Sequence, residues 1–249
     1  MYTPKLRVLR VSAVNDFRRS DKRSEESRDS VLSHFEIIKD FRSCMALEFQ
    51  KAVLDLIEQV TGGVIDHEVP DWLKRPGKIE CGNRWPLICQ MYQELTGLEL
   101  PELMPTKEWR QVDGILKCGT LAPRIIEVDE VQHFNCYRST MLRLYPRAVP
   151  LAFDRNAWIK QSQAKVRLET GKFDMPMPPL FDCEHGRHMQ RSFRDALCDI
   201  LPQDYGFSPT LRIAYFEMAG WDKKNKMWSN VNDARKKMKA LLADHNIPN

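Results

Sequence analysis

The sequence predicts an α/β fold, a β-sheet covered by helices on both faces. Three observations predict it. Short runs of strand character, QVDGIL (111–116), RIIEVDEV (124–131), AVPLAFD (148–154) and TLRIAYFEMAG (210–220), alternate with stretches of helical periodicity. The length of 249 residues suits one domain with additions. A hydrophobic share of 43% against 29% charged residues is too apolar for a disordered chain and too polar for a membrane protein.

Taken in chain order, residues 1–30 read as a flexible arm, with eight basic and five acidic side chains and few apolar ones after Val14. From Phe35 the pattern turns helical. Met45, Phe49, Ala52, Val53, Leu56 and Val60 recur at steps of three, four and seven, and Gly62-Gly63 supplies a stop. Five prolines punctuate 64–108, where only LICQMYQELT (87–96) looks helical, so this stretch reads as an inserted or capping lobe whose Trp72, Trp85 and Trp109 serve packing. QVDGIL and RIIEVDEV flank a Gly/Pro-marked turn, which predicts a β-hairpin. A helix from about 135 to 144, a buried strand AVPLAFD and a helix over 155–171 follow. FDMPMPPLFD (173–182) reads as a linker, then come a helix over 187–201, a strong strand over 210–220 and a last amphipathic helix bearing Val231, Ala234, Met238, Leu241 and Leu242 on one face.

Against 38 Lys and Arg stand 34 Asp and Glu, for a net charge of +4, which permits nucleic-acid binding without arguing for it. Seven scattered cysteines with no C-x-x-C pair fit reduced thiols better than a disulfide framework. No apolar run approaches the ~20 residues of a membrane span, and MYTPKLRVLR lacks the apolar centre of a signal peptide. The expectation is a soluble, cytoplasmic chain. Phosphate-cradling glycine loops, a G-x-S-x-G elbow and an H-E-x-x-H helix are all missing from the sequence, which argues against an NTPase, a dinucleotide enzyme, a serine hydrolase and a zinc protease of those types.

Successive side chains alternate faces along a strand, so Glu127 and Asp129 project together while Ile126 and Val128 face the other way. Two acids beside apolar neighbours are costly to bury without a positive charge between them. Asp113, across the hairpin, can bring a third carboxylate to the same place. Three convergent oxygen donors suit a hard cation such as Mg²⁺ or Mn²⁺, which acidifies water and stabilises charge on a phosphoryl oxygen. The other reading has Asp113 starting a turn and Glu127 and Asp129 pairing with Arg or Lys. Glu48 falls at the edge of the apolar stripe of its helix, at the core margin or turned into a site.

An acid, a short hairpin, then acid-x-acid on a strand resembles the PD-(D/E)XK, or restriction-endonuclease-like, nuclease superfamily. EVDEVQH looks like the E-x-D-G-x-Q-H signature of the branch related to very-short-patch-repair endonucleases. In that resemblance Asp113 matches the first motif acid, Glu127 and Asp129 the acid-x-acid pair, and Gln132 and His133 the following Q-H. Glu48 sits where many members supply an additional acid. Asp129 stands in place of the superfamily's lysine and Glu130 in place of the branch's glycine. The match covers about 105–155 well and 185–220 loosely, through HMQRSFRDAL and LRIAYFEM.

The resemblance implies a restriction-endonuclease-like core, with a mixed central sheet flanked by helices and spanning 31–249 around the lobe at about 64–108. It implies a Mg²⁺- or Mn²⁺-dependent DNA endonuclease. Asp113, Glu127, Asp129 and Glu48 would hold the metal, and Gln132 and His133 would position water. Basic residues gather on Arg155, Lys160, Lys165 and Arg167, on Arg187, Arg191 and Arg194, and on a C-terminal stretch with Lys223, Lys224, Lys226, Arg235, Lys236, Lys237 and Lys239. They are solvated faces or a nucleic-acid surface. Cys183, His185 and His188 offer soft ligands to zinc without an evident fourth. The competing function is a catalytically inactive nucleic-acid-binding module of the same fold. A structural or assembly protein is the third. A homodimer or a partner protein in a larger assembly fits the nuclease reading, since cutting both strands commonly needs two sites.

Overall fold

Apolar side chains at helical spacing over 47–61 build the first helix, α1, burying Phe49, Val53, Leu56, Ile57 and Val60, and Gly62 at φ 65 ends it. The structure is a computed structural model that describes residues 47–108, 110–164, 168 and 170–247, of which those from Glu48 onward belong to one compact unit. The arm at 1–30, Trp109, Lys165 and Arg167 lie outside the described residues.

After α1 the elements run β1 (Val64–Asp66), α2 (Asp71–Lys74), α3 (Lys78–Cys81), α4 (Trp85–Thr96), β2 (Gly114–Lys117), β3 (Arg124–Asp129), α5 (Cys136–Leu144), α6 (Arg155–Ala164), α7 (Gly186–Ile200), β4 (Ser208–Ala214), β5 (Trp221–Asp222), β6 (Met227–Trp228) and α8 (Val231–Asp244). The main sheet is ordered β1-β2-β3-β4, antiparallel at its first two pairings and parallel between β3 and β4. It is a mixed four-stranded sheet flanked by helices. Gly114 opens β2 because a Cβ there would run into Ile65 Cγ2 on the adjacent strand.

Strand alternation sorts the two faces. Leu116, Ile126, Val128, Leu211 and Ile213 pack on α1 and α8, against Val53, Ile57, Met238 and Leu242. Ile115 and Ile125 turn the other way, onto Cys198 of α7 and onto Leu73. Beyond α7 a second core joins α4, α5 and α6 through Ile88, Met91, Tyr92, Met141, Leu142, Trp158, Phe193 and Leu197. With eleven of its fifteen residues buried, α7 is enclosed by protein, so its polar side chains must find partners inside.

Four expectations need correction. Residues 64–66 are the edge strand of the main sheet, so the stretch read as a lobe contributes to the core from its first residues. AVPLAFD is no strand but an extended connection whose Ala152 makes one bridge to Leu211, because Pro150 lacks an N–H for a ladder. The strand read over 210–220 stops at Ala214, whose N–H is taken by Glu217 at 2.8 Å as the chain turns. The helix read over 155–171 is described to Ala164, and Gly171 opens a separate turn. Trp72 and Trp85 are packing residues as expected: Trp72 stacks on Tyr205 at 4.3 Å, and Trp85 lies against the α4 core.

Candidate metal and nucleic-acid site

Gly114 pairs with Ile126, and the register carried one step back sets Asp113 across from Glu127. Asp113 Oδ2 accepts the Val128 N–H at 2.7 Å, so a side chain takes the place of a ladder carbonyl where β2 begins. Glu127 is buried and its Oε1 accepts from the Cys198 thiol at 3.5 Å. Neither carboxylate lies at ion-pair distance from a cation among the described residues. Burial first, then its acidic neighbours Asp129 and Glu130, push the Asp113 carboxyl up to about 7, although the Val128 N–H and Arg212 pull the other way. Glu127 is pushed up to about 8, by burial and next by Asp113. Arg212 pulls both acids down, but without an ion-pair contact to either among the described residues it does not offset their burial.

Asp129 shares their face but not their situation. Its carboxylate is fully buried, with Arg212 Nη1 2.7 Å from Oδ1 and Trp158 Nε1 donating to Oδ2 at 2.6 Å. Arg212 stands beside it on parallel β4, register partner of Glu127, and extends along the α7 side of the sheet. Its Nε reaches Asp199 Oδ1 at 2.7 Å and its Nη2 reaches Asp195 Oδ1 at 3.4 Å. Arg138 of α5 closes the network, donating to Asp199 Oδ2 at 2.8 Å and to the Tyr145 hydroxyl at 2.8 Å. Three carboxylates thus surround two guanidinium groups in the interior, with His133 at the rim, its Nδ1 3.2 Å from Asp195 Oδ2 and 3.4 Å from Asp129 Oδ1. Burial would raise Asp195, but Arg212, His133 and Arg138 overcome it and hold its carboxyl well below the usual range.

Among the described residues, Asp129, His133 and Asp195 are the group of three potential metal ligands whose donor atoms all lie within 4.8 Å of one another. Both of its acids are already paired with Arg212. Asp113, Glu127 and Asp129 do not form such a group, and Glu48 does not join one; its Oε1 lies 3.7 Å from Lys226 Nζ. Gln132 donates to Glu130 rather than to any of the three hairpin acids. His185 and Asp174 are hydrogen-bonded, His188 Nε2 is 3.9 Å from the same Asp174 oxygen, and the Cys183 thiol turns to Met189 at 3.8 Å, so these residues do not gather as zinc ligands.

Of the basic residues singled out, Lys160 and Lys236 are exposed on α6 and α8, while Arg155 is half-buried over the Tyr145 ring. Arg187 and Arg191 are half-buried on α7, and Lys165 lies outside the described residues. The residues that sequence reasoning did not single out are Arg138, Asp195, Asp199 and Arg212. The signal was present: Arg212 interrupts an apolar strand, and Asp195 and Asp199 stand four apart in a helix otherwise rich in buried residues.

Compared with known proteins, the chain matches no family model, no curated protein and no solved structure. No helix among the described residues is long and apolar enough to cross a membrane.

Proposed function

We propose that the protein is a metal-dependent nuclease of the restriction-endonuclease-like kind that hydrolyses phosphodiester bonds, with DNA as the substrate. The observation that carries this reading is the pair Asp113 and Glu127, opposite each other in the hairpin register and neither at ion-pair distance from a cation among the described residues, with both carboxyls pushed up by burial. Hard carboxylate oxygens at one place fit Mg²⁺ or Mn²⁺, and an ion held by Asp113 and Glu127 would supply the positive charge that in-line attack on phosphorus demands. The mixed sheet with the acids facing each other at the start of the β2–β3 hairpin supports the same reading.

The chain's own residues have distinct tasks in it. The Val128 N–H fixes one oxygen of Asp113, and the Cys198 thiol does the same for Glu127. Asp129 is a positioning residue: by holding Arg212 it anchors β3 to β4 and keeps Glu127 in register. His133 has Nδ1 held by Asp195 at the rim of the buried network, which fixes the orientation of its ring. One observation favours the second reading, a catalytically inactive binding module: Asp129, part of the acid-x-acid signature, is taken up by Arg212 and Trp158.

Incubating plasmid and single-stranded DNA with Mg²⁺ or Mn²⁺ tests the two. The nuclease reading expects cuts that EDTA abolishes and that Asp113→Asn and Glu127→Gln eliminate while circular dichroism stays unchanged. DNA binding without metal-dependent cutting in the wild type would replace it with the binding module. Absence of any salt-dependent affinity for DNA would remove both.

A further inference from the structure

Next to Glu127, on the far side of Cys198, lies a second set of charges that the hairpin acids do not use. Arg110 is only 4% exposed, and its Nη2 is held by the Arg194 carbonyl and by Cys198 Sγ at 3.0 Å. Its Nε and Nη1 are buried and meet no acceptor among the described residues, and neither does Nε of Arg194. Buried guanidinium N–H groups without acceptors are rare because each forfeits its hydration. The carboxylate beside them among the described residues is Glu108, which accepts from Arg194 Nη2 at 2.8 Å and from Gln190 Nε2 at 3.0 Å. Arg187 Nη1 donates to the oxygen of that same Gln190 at 3.1 Å. Burial, then Arg191, depress Arg187; burial depresses Arg194, with Arg110 and Arg187 adding to it against Glu108. Among the described residues Glu108 is the acid that accepts from this set, and it lies on a connection between α4 and β2 that belongs to no helix or strand.

We propose that Arg110, Arg194, Arg187 and Gln190 form the seat of one backbone phosphate of the bound nucleic acid, and that the Glu108 carboxylate holds the place of its anionic oxygens until that phosphate arrives. The proposal rests on the nuclease reading in taking nucleic acid as the ligand. A phosphodiester carries the single charge and paired oxygens of a carboxylate, so it satisfies the same forked donors. Its tetrahedral oxygens also offer acceptors to the N–H groups that planar Glu108 leaves without one. The seat adjoins Glu127 through Cys198, so the phosphate held there is a near neighbour of the one at the hairpin acids.

The test measures binding of a short fluorescein-labelled DNA by anisotropy in EDTA, so that no cleavage is needed. Glu108→Gln is expected to tighten binding about tenfold, because the ligand no longer displaces a charged competitor. Arg194→Gln is expected to weaken it about tenfold and to lower the salt slope by about one. Arg187→Gln, at a half-buried position, gives a milder loss and serves if Glu108→Gln does not fold. Inorganic phosphate, followed by thermal shift, should stabilise the wild type and Glu108→Gln more than Arg194→Gln. Unchanged or weaker binding in folded Glu108→Gln overturns the proposal, as does an Arg194→Gln or Arg187→Gln protein that binds like wild type. Failure of both DNA and phosphate to bind overturns it as well. Tighter binding by Glu108→Gln without metal-dependent cutting leaves the seat standing and removes the nuclease reading alone.

Discussion

Replacing Arg212 with Met tests the idea that the interior between β3, β4 and α7 is held by charge rather than by packing alone. The guanidinium contacts Asp129 and Asp199 at 2.7 Å each and Asp195 at 3.4 Å, and it is 1% exposed. Without it, Asp195 and Asp199 keep Arg138, at 3.9 and 2.8 Å, and Asp129 keeps the Trp158 N–H and the rim His133. Breaking a buried pair in this way costs about 3–5 kcal/mol, out of a total on the order of 5–15 kcal/mol. With a urea slope of about 2–3 kcal/mol/M the midpoint should fall by about 1–2.5 M at pH 7. Neutralising the orphaned acids as well, in Arg212→Met/Asp129→Asn/Asp199→Asn, should recover more than half of that loss, because the cost lies in uncompensated charge. A midpoint shift under about 0.3 M with an unchanged slope would refute the reasoning, since it is the behaviour of a solvent-screened pair.

The metal-free protein should lose stability as pH rises from about 4 to about 8: the unfolded chain ionises Asp113 and Glu127 near their ordinary values, whereas the folded chain keeps those protons up to about 7 and 8. Mg²⁺ should therefore raise Tm more at the alkaline end of that window than at its acid end, and Glu127→Gln should melt higher than wild type in EDTA near pH 8 while losing the Mg²⁺ response; equal Mg²⁺ shifts at both ends would contradict the assignment. Asp195 works in the opposite sense, its depressed carboxyl giving stability that is present above about pH 4 and disappears below it. Asn135 is fully buried, caps α5 by accepting the Arg138 N–H at 3.0 Å and accepts from Ser192, so Asn135→Ala should cost about 1–2 kcal/mol in urea unfolding. Among the described cysteines, Cys136 and Cys183 are exposed and should react with a thiol reagent in the native protein, whereas Cys81 and Cys198 are buried, with thiols pushed up by burial, and should react only on unfolding.

Local pattern made α1, the β2–β3 hairpin, α5, α7 and α8 readable from the residues, because each is long or periodic enough to declare its buried face. Ile126 and Val128 do pack on α1 and α8 while Glu127 and Asp129 face α7, as alternation requires. β1 was hidden because three residues between a glycine pair and a proline carry too little periodicity to distinguish from a loop. AVPLAFD misled because a short apolar run is equally what a buried connection needs. At the site, strand phase correctly put three acids near one hairpin, but which of them finds an arginine is a tertiary matter. Arg212 is 83 residues from Asp129 in sequence and meets it only because β4 lies parallel to β3. Glu48 shows the converse: its helical phase was suggestive, and its partner, Lys226, comes from the turn between two strands of two residues each that no pattern announced.

The short length of β1 bears on how copies of the chain can meet. An open sheet edge is a template on which a foreign strand can grow, and proteins restrain it by shortening or covering it. Here one edge offers only Val64–Asp66, with the Asp66 carboxylate tied to Lys117 of the neighbouring strand at 2.6 Å. At the other edge Ala152 bridges Leu211 and runs alongside β4. Among the described residues the sheet that carries the acids thus offers a foreign strand only three residues at one edge and a partly covered β4 at the other, so strand addition that would disturb the register at Glu127 finds little to build on.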